Sequence, residues 1–146
     1  MRIRYQNYDS EEKHKLAMEI HKVIVTRPRG WTNFIDFHDD RVVYRRYAGL
    51  YFCLCVDRAA NELATLELIH LYVETLDRFF GSVCELDLVF NFFNCYQLWD
   101  EMVLGGEPVE TSRKILSSRM QVLRERMEAD GGKMPQQLRG LSKAFQ

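Results

Sequence analysis

The stretch Arg41-Val42-Val43-Tyr44-Arg45-Arg46-Tyr47-Ala48-Gly49-Leu50-Tyr51-Phe52-Cys53-Leu54-Cys55-Val56 decides the fold class. It is dense in valine, tyrosine, phenylalanine and leucine, which suit a pleated, half-buried surface. Gly49 divides it and marks the turn or bend between two strands. Beyond Gly49, the residues Leu50, Phe52 and Leu54 alternate with Tyr51, Cys53 and Cys55, so both faces are apolar. A strand buried on both sides is expected there. Upstream, Trp31 to Phe37 contains further β-formers, and Asp39-Asp40 marks the turn between the two stretches.

Helical periods lie on either side. Leu16, Ile20, Val23 and Ile24 predict an amphipathic helix near 10–26, closed by Pro28 and Gly30. Asp9 is its expected N-cap, with Glu12 as capping-box partner. Before it, Arg2 to Tyr8 alternates weakly and is expected to be the remnant of a strand. Asn61 is a good cap for a second helix carrying Leu66, Ile69, Val73, Leu76 and Phe80, which Gly81 ends.

The run Leu86-Asp87-Leu88-Val89-Phe90-Asn91-Phe92-Phe93 starts like a strand, yet leads into Tyr96, Trp99, Met102 and Val103 at helical spacing. A short irregular segment is expected, then a helix to Leu104 stopped by Gly105-Gly106. A last helix is expected over roughly 110–128. After Gly131-Gly132 the chain is polar, contains Pro135, and is expected to be disordered. This divides the chain into a domain over 1–129 and a tail over 130–146. The order predicts an α+β domain, with helices packed on a small antiparallel sheet.

Composition excludes several classes. With 47% hydrophobic and 28% charged residues among 146, the chain is globular and long enough to bury a core. A net charge of -1 offers no general attraction to nucleic acid or an anionic membrane. No stretch approaches the roughly 18 consecutive apolar residues of a spanning helix, and Met1-Arg2-Ile3-Arg4-Tyr5 does not open a secretory signal. A cytosolic protein is expected. Cys53, Cys55, Cys84 and Cys95 are irregularly spaced, and no second pair completes a zinc pattern, so buried free thiols are expected.

Catalytic patterns are sparse. The eight glycines form neither a dinucleotide nor a phosphate-loop motif, and no nucleophile elbow, zinc-protease or calcium-loop sequence occurs. His14 and His21 share a helix face, but two histidines alone make a poor metal site. Asp100-Glu101 points two ways on a helix and fits a solvated or capping role. Cys84-Glu85 with His70 could supply a nucleophile and a base only if folding joined them. Neither an enzyme nor a cofactor is expected. Arg41, Arg45 and Arg46 interleave with Tyr44 and Tyr47, and ion pairs to a protein partner suit them better than nucleic acid. More apolar surface is present than one small domain covers easily, which points to contact with another subunit or an apolar peptide.

The segment Val43-Tyr44-Arg45-Arg46-Tyr47-Ala48-Gly49-Leu50-Tyr51-Phe52-Cys53 resembles the sigma, or small, subunits of clathrin adaptor complexes. So do Leu66-Glu67-Leu68-Ile69-His70, Tyr72 to Asp77, and the run from Phe80 to Phe92. Asp100-Glu101-Met102 followed by Gly105-Gly106 completes the pattern, and the similarity runs from about Tyr5 to Leu116. The resemblance implies a longin-like fold, a five-stranded antiparallel sheet flanked by helices. It also implies a non-catalytic subunit bound to a large adaptin in a heterotetramer with a second large and a medium chain. Clathrin would be engaged only indirectly, and the membrane through the complex. The implied task is holding acidic dileucine sorting signals on the cytosolic tails of cargo. Carried over by position, Ala48, Leu50, Val73, Val83, Leu86 and Leu88 would line the leucine pockets, with Ser82 at the rim.

In such subunits a further hydrophobic strand precedes the part matching Arg2–Tyr8, so the N-terminal strand of the sheet is expected to be missing. The basic residue that meets the signal's acidic side chain falls upstream too. Thr65 to His70, Phe80-Gly81-Ser82 and the long last helix favour the Golgi/endosomal type, hence trans-Golgi or endosome membranes and coated vesicles. Thr32-Asn33-Phe34 and Arg45 to Gly49 look more like the plasma-membrane endocytic type, found in coated pits. The alternative is a longin-domain subunit of a coatomer or tethering complex without dileucine binding.

Overall fold

A computed structural model of the chain describes residues 10–129. The expected strand remnant at Arg2–Tyr8, the Asp9 cap and the tail over 130–146 lie outside these residues. The element order is α1 (Ser10–Thr26), β1 (Phe34–Phe37), β2 (Asp40–Tyr47), β3 (Leu50–Asp57), α2 (Glu62–Phe80), α3 (Glu85–Phe90), α4 (Phe92–Met102), β4 (Val103–Leu104), β5 (Glu107–Pro108) and α5 (Arg113–Ala129). Two compact units result, one running through His70 with Leu104–Pro108 added, the other comprising Leu71–Val103 and the chain from Val109 onward.

The first unit is built on an antiparallel meander, β1-β2-β3, whose neighbours in space are neighbours in sequence. Phe37 pairs with Asp40 and Tyr47 with Leu50, so each turn has two residues, and His38 and Ala48 take positive φ of 52° and 51°. Positive φ at the first turn position matches the twist of the flanking strands. The first turn is therefore His38-Asp39, and Asp40 already belongs to β2.

Directly paired residues share a face of the sheet. Val42 and Tyr44 on one face pack with Ile20 and Ile24 of α1, while Leu16, Ile35, Phe37, Tyr51 and Cys55 close around them. On the opposite face Val43 and Val56 are buried. There Arg41 forms an ion pair with Glu62, and the Tyr47 hydroxyl lies 2.8 Å from His70 Nδ1, both partners standing on α2. The small antiparallel sheet is thus flanked by helices.

The doubly buried strand is β2, which has a partner on each side and buries Val42, Val43 and Tyr44. β3 was the expected one, but it pairs only with β2 among the described residues and buries Val56 alone. Exposure corrects the thiols as well. All four are free, yet Cys53 and Cys84 are exposed, and Cys55 and Cys95 are half-buried.

In the second unit the C-terminal half of α2 is joined by α3, α4 and α5. Leu76, Leu98, Met102 and Leu116 are fully buried, each leucine worth about 1.5–3 kcal/mol against exposure. The Tyr72 hydroxyl donates to the Cys95 carbonyl at 2.9 Å, and its ring meets Trp99 edge-on, tying α2 to α4. Burial pushes the Tyr72 phenol well above its usual range. Arg113 pairs with Glu74 and Arg119 with Glu101, while Arg124 donates to the Phe79 carbonyl and lies over the Phe79 ring.

Two sequence expectations fail here. Glu85–Phe90 is helical from its first residue, and Val103–Leu104 leaves the helix to pair with Glu107–Pro108. Gly105 and Gly106, at φ 57° and 87°, form the turn between those strands, a conformation that favours glycine.

Candidate functional site

Of the seven residues expected to hold a dileucine signal, Ala48 and Leu50 belong to the first unit and the other five to the second. Ala48 and Leu50 flank Gly49 at the β2–β3 turn, Ala48 exposed and Leu50 half-buried. They are brought together by the tight turn.

Ser82, Val83, Leu86 and Leu88 follow one another across the α2–α3 junction, which two aspartates shape. Gly81 leaves α2 with φ 71°, and the N–H groups of Gly81 and Ser82 both donate to the Asp77 carbonyl, at 2.8 and 3.1 Å. This is the left-handed helix ending that glycine at this position allows. The next donor, Val83 N–H, goes to the Asp77 carboxylate at 3.0 Å. Cys84 N–H then donates to the Asp87 carboxylate at 2.9 Å, and a capping box starts α3. Ser82 itself stands at φ 90°, a strained backbone for a residue with a Cβ.

The outcome is an exposed apolar helix. No residue of α3 is buried, and Leu86 is 63% exposed. Val83 and Leu88 are half-buried, Ser82 exposed. Val89 and Phe90 continue the exposed apolar surface, Phe90 at 72%. Sequence reasoning did not assign these two, although their spacing of three and four from Leu86 places all three on one helical face. Val73 differs from the others: it is 5% exposed and packs in the core of its unit.

The residues weighed for chemistry are occupied or solvated. His70 shares Nδ1 with the Tyr47 hydroxyl and stacks on that ring. His14 and His21 are exposed, Asp100 is exposed, and Glu101 binds Arg119 at 2.6 Å. Among the described residues, no group of three or more His, Cys, Asp or Glu could hold a metal ion. Arg41 also leaves the basic cluster, because Asp36 and Glu62 neutralise it within the chain.

Residues 2–127 match the family described as the clathrin adaptor complex small chain. The chain belongs to that family. This small chain is 53% identical over 119 residues to the AP-2 complex subunit sigma of Dictyostelium discoideum, covering 82% of its own length and 84% of the relative's. It is 50% identical over 113 residues to the AP-1 complex subunit sigma-1 of Arabidopsis thaliana, covering 77% and 70%. Its fold is similar to a chain of a full-length AP-3 complex, a homology model in a stretched open conformation. The TM-score is 0.71 at 29% identity, over 90% of this chain and 89% of that one. The small chain is thus an adaptor-complex subunit of a non-enzymatic trafficking family. The lean toward the Golgi/endosomal type has no support in these relatives, since the AP-2 sigma chain is the more similar of the two.

Proposed function

We propose that this small chain serves in an AP-2-type heterotetramer with a large adaptin, a second large chain and a medium chain, on the cytosolic face of the plasma membrane and its coated pits. There it helps to hold acidic dileucine signals in cargo tails. The observation that carries the proposal is α3, a helix with no buried residue that exposes Leu86, Val89 and Phe90. Two leucines of an extended peptide, covered by such surface, would each contribute about 1.5–3 kcal/mol. Affinity stays modest, which suits cargo that must later be released, and several sites on one coat supply avidity. Ser82, Val83, Leu86 and Leu88 are the proposed contacts on the α2–α3 junction, with Ala48 and Leu50 at the β2–β3 turn. Val73 would act by supporting α2 from within the core.

The test is co-expression with large adaptin cores of the AP-2 and AP-1 types, followed by pull-down and titration with a dileucine peptide. Preferential capture by the AP-2 core, with peptide binding lost on replacing both leucines of the peptide by alanine, is expected. Preferential capture by the AP-1 core would restore a trans-Golgi and endosomal assignment. Capture by neither would reject the adaptor-specific reading in favour of another longin machine.

A further inference from the structure

We propose that an arginine-lined groove in the first unit docks an acidic, Asp- and Glu-rich segment of a protein partner. The groove measures about 540 Å³ and lies where the end of α1 and the chain after it meet the β2–β3 turn. Among the described residues, Arg27, Arg29, Arg45 and Arg46 line it, and no carboxylate does. Outside the groove Arg41, Arg113 and Arg119 each pair with an Asp or Glu, while Arg58, Arg78 and Arg124 donate to neutral oxygens. Among the described residues none of the four groove arginines has such a pair. Four positive charges in one concavity, on a chain of net charge -1, make a local field that selects an anion.

The fixed geometry of the arginines points to carboxylates on a peptide. Arg27 donates to the Tyr44 hydroxyl and the Thr32 carbonyl, and its guanidinium lies 5.2 Å from the Trp31 ring centre. Arg46 donates to the Ala48 carbonyl and lies over Tyr51. Guanidinium planes held this way present their remaining donors as oriented forks, which match planar carboxylates two bonds at a time. Among the described residues no lysine lines the groove, and the chain's overall charge does not draw it to an anionic bilayer. Trp31, 60% exposed at the rim, adds an apolar surface for the stem of a glutamate. The groove shares Ala48 with the proposed signal contacts but goes beyond the dileucine reading, because its arginines ask for acidic side chains rather than leucines.

The experiment is fluorescence anisotropy of a labelled, capped hexaglutamate peptide with the full chain, its fold checked by circular dichroism. Hexaglutamate carries no leucine, so its binding tests the arginines of the groove independently of the proposed leucine contacts. Binding that falls about tenfold in the double variant Arg29→Ala/Arg46→Ala and weakens steeply with salt is expected. Both side chains are exposed, so the melting curve of the double variant is expected to overlay that of the parent. Arg46→Lys should recover less than half of the Arg46→Ala loss, because a point charge cannot replace the fork. Absence of hexaglutamate binding, or equal binding by parent and double variant, would overturn the proposal. So would tighter binding to anionic phospholipid vesicles than to the peptide, or displacement of the peptide by inorganic phosphate alone.

Discussion

The Asp77 carboxylate accepts the backbone N–H of Val83 at 3.0 Å, and its own carbonyl accepts those of Gly81 and Ser82. One residue in the last turn of α2 thus holds three successive donors of the loop that carries the proposed signal contacts. Asp77→Ala keeps the two carbonyl bonds and removes the third. A loss of about 1–2 kcal/mol in urea unfolding is expected. Dileucine-peptide affinity should fall with it, although no apolar contact has changed. Asp77→Asn, which retains an acceptor, should recover part of both.

Two neighbouring substitutions should move stability in opposite directions. Gly81→Ala meets no atom within 4 Å, so its only cost is the left-handed backbone at φ 71°, about 1–2 kcal/mol. Ser82→Gly releases strain at φ 90° and should stabilise by about 1 kcal/mol or less, since glycine also gains freedom in the unfolded chain. Paired thermal melts would show the signs, and two shifts of the same sign would contradict the strain argument.

Apolar residues of the second unit fall into two energetic classes. Leu98→Ala opens a cavity at a fully buried position and should cost about 2–5 kcal/mol. Leu86→Ser and Phe90→Ser remove side chains already facing water and should change stability by no more than about 0.5 kcal/mol. Denaturant titration separates the classes. Peptide binding should collapse in the Leu86 variant while its unfolding midpoint stays put.

The thiols give a pH signature. Burial, aided by Cys53 and Asp40, raises Cys55 to about 11, and burial raises Cys95 to about 11. Both exceed the ordinary thiol value of 9.0, so the folded state binds protons more tightly than the unfolded one. Their contribution to stability is complete below pH 9 and is lost as pH rises from 9 through 11. Alkylation at neutral pH, followed by mass spectrometry, should label exposed Cys84 first and the two half-buried thiols last.

Periodicity and punctuation carried much of the fold. The first helix spans Ser10–Thr26, the range its apolar spacing predicts. Asn61 caps the second through its side-chain oxygen, 3.1 Å from Ala64 N. Alternation misled where a short helix imitates a strand: Leu86-Asp87-Leu88 alternates, but Asp87 is the third residue of α3 and caps the Cys84 N–H. The burial of β3 was overestimated because side-chain pattern says nothing about how many neighbours a strand acquires. The arginine groove was half legible. Arg45 and Arg46 stood out in the sequence, whereas Arg27 and Arg29 join them only through the chain path after α1. Arg41, four positions before Arg45, is removed by Glu62, which lies 21 positions further along.

The meander over Phe34–Asp57 also bears on how the chain acquires its structure. Among the described residues its strands meet only their immediate neighbours in sequence, through turns of two residues each. Closing such short loops costs little chain entropy, and an isolated hairpin forms within about 1–10 μs. Among the described residues the sheet therefore depends on no pairing between distant parts of the polypeptide, the slow step in most β-rich proteins. During synthesis, β1 to β3 can zip up as soon as Asp57 clears the ribosome, before α5 has been made.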